Sequence, residues 1–155
     1  MDDQNGPPDR LTLTVSLTTG IARVAYGIRA SVQLIEEVLR LDHDEWESIL
    51  LLGDRQFYQS KNGPFPDQQL RVTVRPSLGY AALNHSDTNC DPPIANSYNP
   101  RLRAPDLALI FNGSTRTVFP RTAAIPIVDA RQALGEWLLT RSRPTCIEWQ
   151  PFDNY

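Results

Sequence analysis

Prolines and a helical repeat divide the last third of this chain into pieces with little freedom of assignment. Phe119-Pro120 and Ile125-Pro126 bracket a short segment. From Ile127 onward, Ile127, Ala130, Ala133, Leu134, Trp137 and Leu138 recur at i, i+3 and i+4, the spacing of one buried helix face. Pro126 suits the first turn of that helix, where a missing N–H is harmless. Gly135 inside it costs roughly 1 kcal/mol relative to Ala, which close packing of the helix on a sheet would offset. Beyond the helix comes Arg143-Pro144, and Thr145 to Trp149 predicts a short final strand.

Strand patterns dominate the rest. Leu11 to Leu17 alternates apolar and polar residues, the mark of a half-buried strand, and Ile21 to Ile28 completes a hairpin across Gly20. Ser31 is a candidate N-cap for a helix in which Val32, Ile35 and Leu39 recur at helical spacing, joined by Leu34, Val38 and Leu41 on the adjoining stripe, and which ends near Leu41. Ser48 to Leu52 and Arg55 to Tyr58, separated by Gly53-Asp54, read as a tight hairpin, although so short an apolar run also suits a helix. Residues 60–67 hold Gly63-Pro64 and Pro66 and predict a loop. Leu70 to Val74 alternates and stops at Pro76, and Tyr80 to Leu83 predicts the next strand. Residues 85–105, rich in proline and asparagine, predict one long irregular loop. Leu107 to Phe111 is the most apolar strand candidate and is expected at the centre of the sheet. Asn112-Gly113 is a hairpin-turn dipeptide, with Thr115 to Phe119 pairing back.

These elements predict an α+β fold: a single domain over residues 10–155, a mainly antiparallel β-sheet and two principal helices packed on it. Residues 1–9 are expected to be a disordered leader. A chain of 155 residues, 41% hydrophobic and 21% charged, has core enough to fold without disulfides, and its two cysteines do not make a disulfide scaffold. The formal charge of −3 weighs against nucleic acid as a direct partner, because phosphate binding needs a basic footprint. No apolar run approaches the roughly 18 residues of a membrane helix, and the acidic start Met1-Asp2-Asp3 is unlike a signal peptide. The expected setting is the cytoplasm, with no membrane partner.

Residues with catalytic or ligand-binding chemistry are sparse. His85, Cys90 and Asp91 fall close together, but zinc needs three or four ligands at defined spacing, and the chain has only His43, His85, Cys90 and Cys146 to offer. No metal or cofactor is expected. Cys146 could serve as a nucleophile with His85 or His43 as base, but a Cys within a strand more often acts as a small buried hydrophobe. There is no Gly-x-Ser-x-Gly elbow and no glycine-rich phosphate loop, so no catalytic residue is assigned. Asp42, Asp44, Glu45 and Glu47 put four acids within six residues around Trp46. That run is either a solvated loop or an acidic patch for a basic protein surface, and Glu36 and Glu37 would enlarge it. Trp137 and Trp149 read as core; Trp46 is either core or an interface anchor. The 85–105 segment carries Asp87, Asp91, Asn96, Tyr98, Asn99, Arg101 and Arg103, types that adaptable binding loops use.

Several pieces occur in one order: Leu70-Arg71-Val72-Thr73-Val74, Gly79-Tyr80-Ala81-Ala82-Leu83, Phe119-Pro120, Ile125-Pro126, the helix with Ala130, Ala133, Leu134 and Trp137, and Arg143-Pro144-Thr145-Cys146-Ile147-Glu148-Trp149-Gln150. Together they resemble the immunity-protein family called Imm-one of bacterial polymorphic toxin systems, across residues 28–150. The resemblance implies a cytoplasmic antidote that neutralises a toxin, frequently a nucleic-acid deaminase, by stoichiometric binding without catalysis. One departure is Arg141-Ser142-Arg143-Pro144, where the family pattern leads one to expect a Gly in the turn. The expected toxin interface comprises Asp42, Asp44, Glu45, Trp46, Glu47, Asp87, Asp91, Asn96, Tyr98, Asn99, Arg101 and Arg103. The alternative is a small-ligand-binding or regulatory α+β domain, which would need a deep apolar pocket.

Overall fold

The computed structural model describes residues 11–54, 68–101 and 107–152. The expected leader, the strand at 55–58, the loop at 60–67 and Arg103 lie outside the described residues. In chain order come β1 (Thr12–Ser16), β2 (Ala22–Tyr26), α1 (Gly27–Arg40), β3 (Ser48–Gly53), β4 (Gln68–Arg75), β5 (Tyr80–Asp87) and β6 (Ile94–Tyr98). They are followed by β7 (Ile110–Asn112), β8 (Thr117–Val118), a single 3-10 turn (Arg121–Ala123), β9 (Ile125–Pro126), α2 (Ile127–Thr140) and β10 (Glu148–Pro151).

The main sheet is antiparallel throughout, in the order β10-β6-β5-β4-β3-β1-β2, with β9 pairing the start of β5. Strand side chains alternate between its faces. Leu70, Val72 and Val74 of β4 and Ala81 and Leu83 of β5 meet Leu34, Ile35, Val38 and Leu39 of α1 and Ala130, Ala133, Leu134, Trp137 and Leu138 of α2. The expected apolar face of α2 is therefore the buried one. Arg131 and Glu36 join the two helices at 2.8 Å.

A second, smaller core lies on the opposite face. Ala82 of β5 packs with Leu107, Leu109, Phe111, Phe119, Ala123 and Ala124. Residues 107–111 therefore do not form the central strand. Only Ile110–Asn112 is a strand, and it pairs with β8 in a separate two-stranded sheet. Leu107, Leu109 and Phe111 are buried and Ala108 is exposed, and the buried side packs on Ala82 across the face of the main sheet instead of pairing with its strands.

Part of the expected 85–105 loop is also strand. β5 continues to Asp87 and β6 begins at Ile94, in the register Asn84↔Asn96, His85↔Ala95, Ser86↔Ile94. Asn84 Nδ2 donates to Asn96 Oδ1 at 2.8 Å, so these buried amides satisfy one another. Polar side chains that pair internally make a strand without apolar alternation. The edge of β5 is shared between two partners, β6 below and β9 above. Between them the Leu83 N–H is met by Ser97 Oγ at 3.0 Å, which itself donates to the Ala123 carbonyl at 2.6 Å.

Local expectations fail at four more places. β1 is buried on both faces, Thr12 and Thr14 included, rather than half-buried. Ser31 does not cap α1; the helix starts at Gly27, whose φ of 86° turns the chain from strand to helix. Ser31 lies fully buried, its hydroxyl without a hydrogen-bond partner among the described residues. Gly135 does not pack closely on the sheet, since a Cβ there would meet nothing within 4 Å. The last strand begins at Glu148, leaving Cys146 exposed in the preceding loop and not buried in a strand.

Two substitutions should therefore stabilise the fold. Gly135→Ala removes a helix-interior glycine without a clash, and Ser31→Ala removes an orphaned buried hydroxyl. Each should raise the unfolding free energy by about 1 kcal/mol. Urea titration should show higher midpoints with unchanged slopes.

Candidate functional site

The acidic segment Asp42 to Glu47 links α1 to β3 and is held from beneath. His43 is buried, its Nδ1–H donating to the Leu41 carbonyl at 3.0 Å and its Nε2 accepting from Ser48 Oγ at 2.7 Å. Burial holds its pKa below the ordinary histidine value. The His43 amide also donates to the Val74 carbonyl at 2.9 Å. From the neighbouring hairpin, Thr18 Oγ1 donates to the Trp46 carbonyl at 2.6 Å.

Much of the acid in this segment is already matched. Glu47 is buried; it accepts from Arg71 at 2.5 Å and from the Gly113 amide at 3.0 Å. Asp42 and Asp44 share Arg75, at 2.9 and 3.0 Å. Glu36 and Glu37 do not extend the patch, because Arg131 and Arg23 engage them at 2.8 Å each. Glu45 is exposed and forms no ion pair among the described residues. Trp46 is 48% exposed, so it is not core. Its indole is seated on Gly113 of the β7–β8 turn, where any Cβ would fall on the indole and on the Glu45 carbonyl. Gly113 does not make a two-residue hairpin turn; the turn spans residues 113–116 and its left-handed residue is Arg116, with φ 59°. Together these pieces line a cleft of about 330 Å³ formed by Asp44, Glu45, Trp46, Ile110, Gly113 and Arg116.

The other expected interface residues separate into groups. Asp87 is buried, and its Oδ1 accepts the Asn89 amide at 2.8 Å, shaping the β5–β6 turn. Asn96 is fully buried against Asn84. Asp91 is exposed but sits in that same turn. The whole eight-residue length of β5, about 23 Å, therefore separates it from the 42–47 end. Tyr98, Asn99 and Arg101 leave β6 toward the 42–47 end and line a groove of about 450 Å³ with Asp129, Cys146 and Glu148. Asn99 there holds the Ala124 carbonyl at 3.0 Å. Sequence reasoning did not bring Gly113 and Arg116 to Trp46, because that contact crosses more than sixty positions and leaves no local signal.

Three residues of the ordered motif set, Trp137, Arg143 and Trp149, meet Gln68 and His85 elsewhere, in a polar relay. Gln68 Oε1 accepts the Trp137 indole N–H at 2.7 Å and the His85 Nε2–H at 2.9 Å. Gln68 Nε2 donates to the Arg141 carbonyl. Arg143 Nε donates to His85 Nδ1 at 3.0 Å, and its Nη1 donates to the Pro92 carbonyl at 2.6 Å. Arg143 also lies over the Trp149 ring at 5.7 Å, while the Trp149 N–H donates to the Pro144 carbonyl at 2.7 Å. Arg141, in the turn before Arg143-Pro144 where the resemblance leads one to expect a Gly, takes a left-handed conformation with φ 53° as the C-cap of α2.

Burial and the facing Arg143 push His85 down to about 4. With both ring nitrogens engaged, His85 is a neutral structural group. The unfolded chain takes up this proton near pH 6.5 and the folded chain only near pH 4. The stability that neutral His85 carries is complete above pH 6.5 and is lost as pH falls toward 4. Between neutral pH and pH 4 the unfolding free energy of wild type should fall by about 3 kcal/mol more than that of His85→Gln.

Cys146 is exposed, but desolvation and the Glu136 carboxylate push its thiol up to about 11. That carboxylate accepts from the Thr145 and Cys146 amides at 2.6 and 3.2 Å. At mildly alkaline pH, alkylation of Cys146 by iodoacetamide should run roughly tenfold slower than for an unperturbed thiol. Glu136→Gln should recover part of that rate.

Among the described residues, no group of three or more His, Cys, Asp or Glu could hold a metal ion, and no helix is long and apolar enough to cross a membrane. The chain folds as an α+β domain with mixed-charge loops at one end of its sheet. The family model described as Immunity protein Imm1 matches residues 29–151, and the chain belongs to that family. No curated protein matches it.

Proposed function

We propose that this protein is the antidote to a cognate toxin domain and acts by forming a one-to-one complex with it, without catalysis. Membership of an immunity-protein family over residues 29–151 carries the reading. The toxin we infer is a nucleic-acid deaminase, met in the cytoplasm of the cell that makes both proteins. A deaminase must admit a flipped or single-stranded base into its pocket. An antidote seated over that mouth excludes substrate with no chemistry of its own.

A surface built to hold phosphates is basic, and the exposed carboxylates of Asp42, Asp44 and Glu45 around Trp46 complement it. Tyr98, Asn99 and Arg101, beside the larger groove, supply a second contact. Glu47, Asp87 and Asn96 are buried and drop out of the interface, as does Asp91 in the turn beyond the far end of β5.

Co-expression with the toxin encoded by the neighbouring upstream gene tests this. The expected result is rescued growth, a co-purifying one-to-one complex and deaminase activity that falls in proportion to added antidote. Full toxin activity in the presence of excess antidote would refute the reading. A captured toxin lacking deaminase activity would refute only the assigned chemistry.

A further inference from the structure

We infer that the cleft between the 42–47 segment and the β7–β8 turn is a socket for one basic side chain, an arginine or lysine, presented by the toxin domain. The inference rests on the immunity reading above. Its volume of about 330 Å³ is the scale of a side chain, not of a folded element. Trp46 and Ile110 supply apolar wall, and Asp44 and Glu45 supply carboxylate. A long cation needs that combination: its methylene stem lies on apolar surface while its charged head meets an aromatic face and an acid.

The socket is preformed. The Trp46 carbonyl is held by Thr18, its ring rests on Gly113, and His43 anchors the loop below. An aromatic fixed before binding loses little entropy when a partner arrives. The charge is also uncompensated in the right place. Asp42 and Asp44 share one guanidinium, and Glu45 has none among the described residues. Among the described lining residues, Arg116 is the one of opposite sign. In a socket for a cation it opposes the occupant, so its removal should tighten binding. In a socket for an anion its removal would weaken binding.

The test is titration of wild type, Glu45→Gln, Trp46→Ala and Arg116→Gln against the cognate toxin domain at low and high salt. Trp46→Ala should weaken binding by about 30-fold or more. Glu45→Gln should weaken it by about tenfold with a flatter salt dependence, and Arg116→Gln should tighten it by roughly threefold. Glu45→Gln decides the matter if Trp46→Ala disturbs folding, since the Glu45 side chain is exposed. A wild-type complex that Glu45→Gln leaves unchanged, or that Arg116→Gln weakens, overturns the socket while the immunity reading stands. No complex with wild type overturns both.

Discussion

The carboxamide of Gln68 is the point on which the architecture turns. It is buried at the first position of β4, and its oxygen takes hydrogen bonds from Trp137 of α2 and His85 of β5. Its nitrogen holds the carbonyl that ends α2. One polar group thus joins helix, two strands and the chain beyond the helix. Apolar burial alone would let α2 slide along the sheet at little cost, since Leu, Ala and Val contacts are non-directional. Hydrogen bonds in a low-dielectric core are directional, and an unmet partner there is expensive. The relay therefore selects one register of α2 on the sheet, and Arg143 extends it to the carbonyls of the β5–β6 turn.

The opposite face is organised by the same economy of polar groups. Ser97 and Asn99 reach from β6 to the carbonyls at Ala123 and Ala124, fastening the cover segment where β5 changes partners. Arg71 and Thr73 of β4 hold the carbonyls of Phe111 and Ile110, which brings the β7–β8 turn over the 42–47 segment. The candidate docking end is a consequence of that cover. Trp46 is seated on Gly113, which a hairpin more than sixty residues away supplies.

The acidic run shows how far a linear reading of charge can mislead. Four acids in six residues suggest a strong negative patch, but folding buries Glu47 against Arg71 and ties Asp42 and Asp44 to Arg75. The surface left is mixed, with Glu45 its carboxylate without an ion pair among the described residues. Arg71 and Arg75 each serve two acceptors here, as a planar guanidinium can. The segment 85–105 shows the converse. Its polar residues suggested an open loop, whereas Asn96 and Ser97 are buried and hydrogen-bonded, Asn96 to Asn84 and Ser97 to the Leu83 amide and the Ala123 carbonyl.

What the sequence determined by itself was everything governed by local periodicity and backbone restriction. The face of α2, the end of α1 near Leu41, the strands at 12–16 and 70–74 and the stop at Pro76 all follow from residue spacing and proline geometry. An ordered set of short motifs was enough for the family. Tertiary structure alone decided which apolar run covers the sheet rather than joining it, which charges stay free, and that Trp46 rests on Gly113. These are contacts between positions far apart in the chain. Their energies depend on distances that only the folded backbone sets, so no window of sequence contains them.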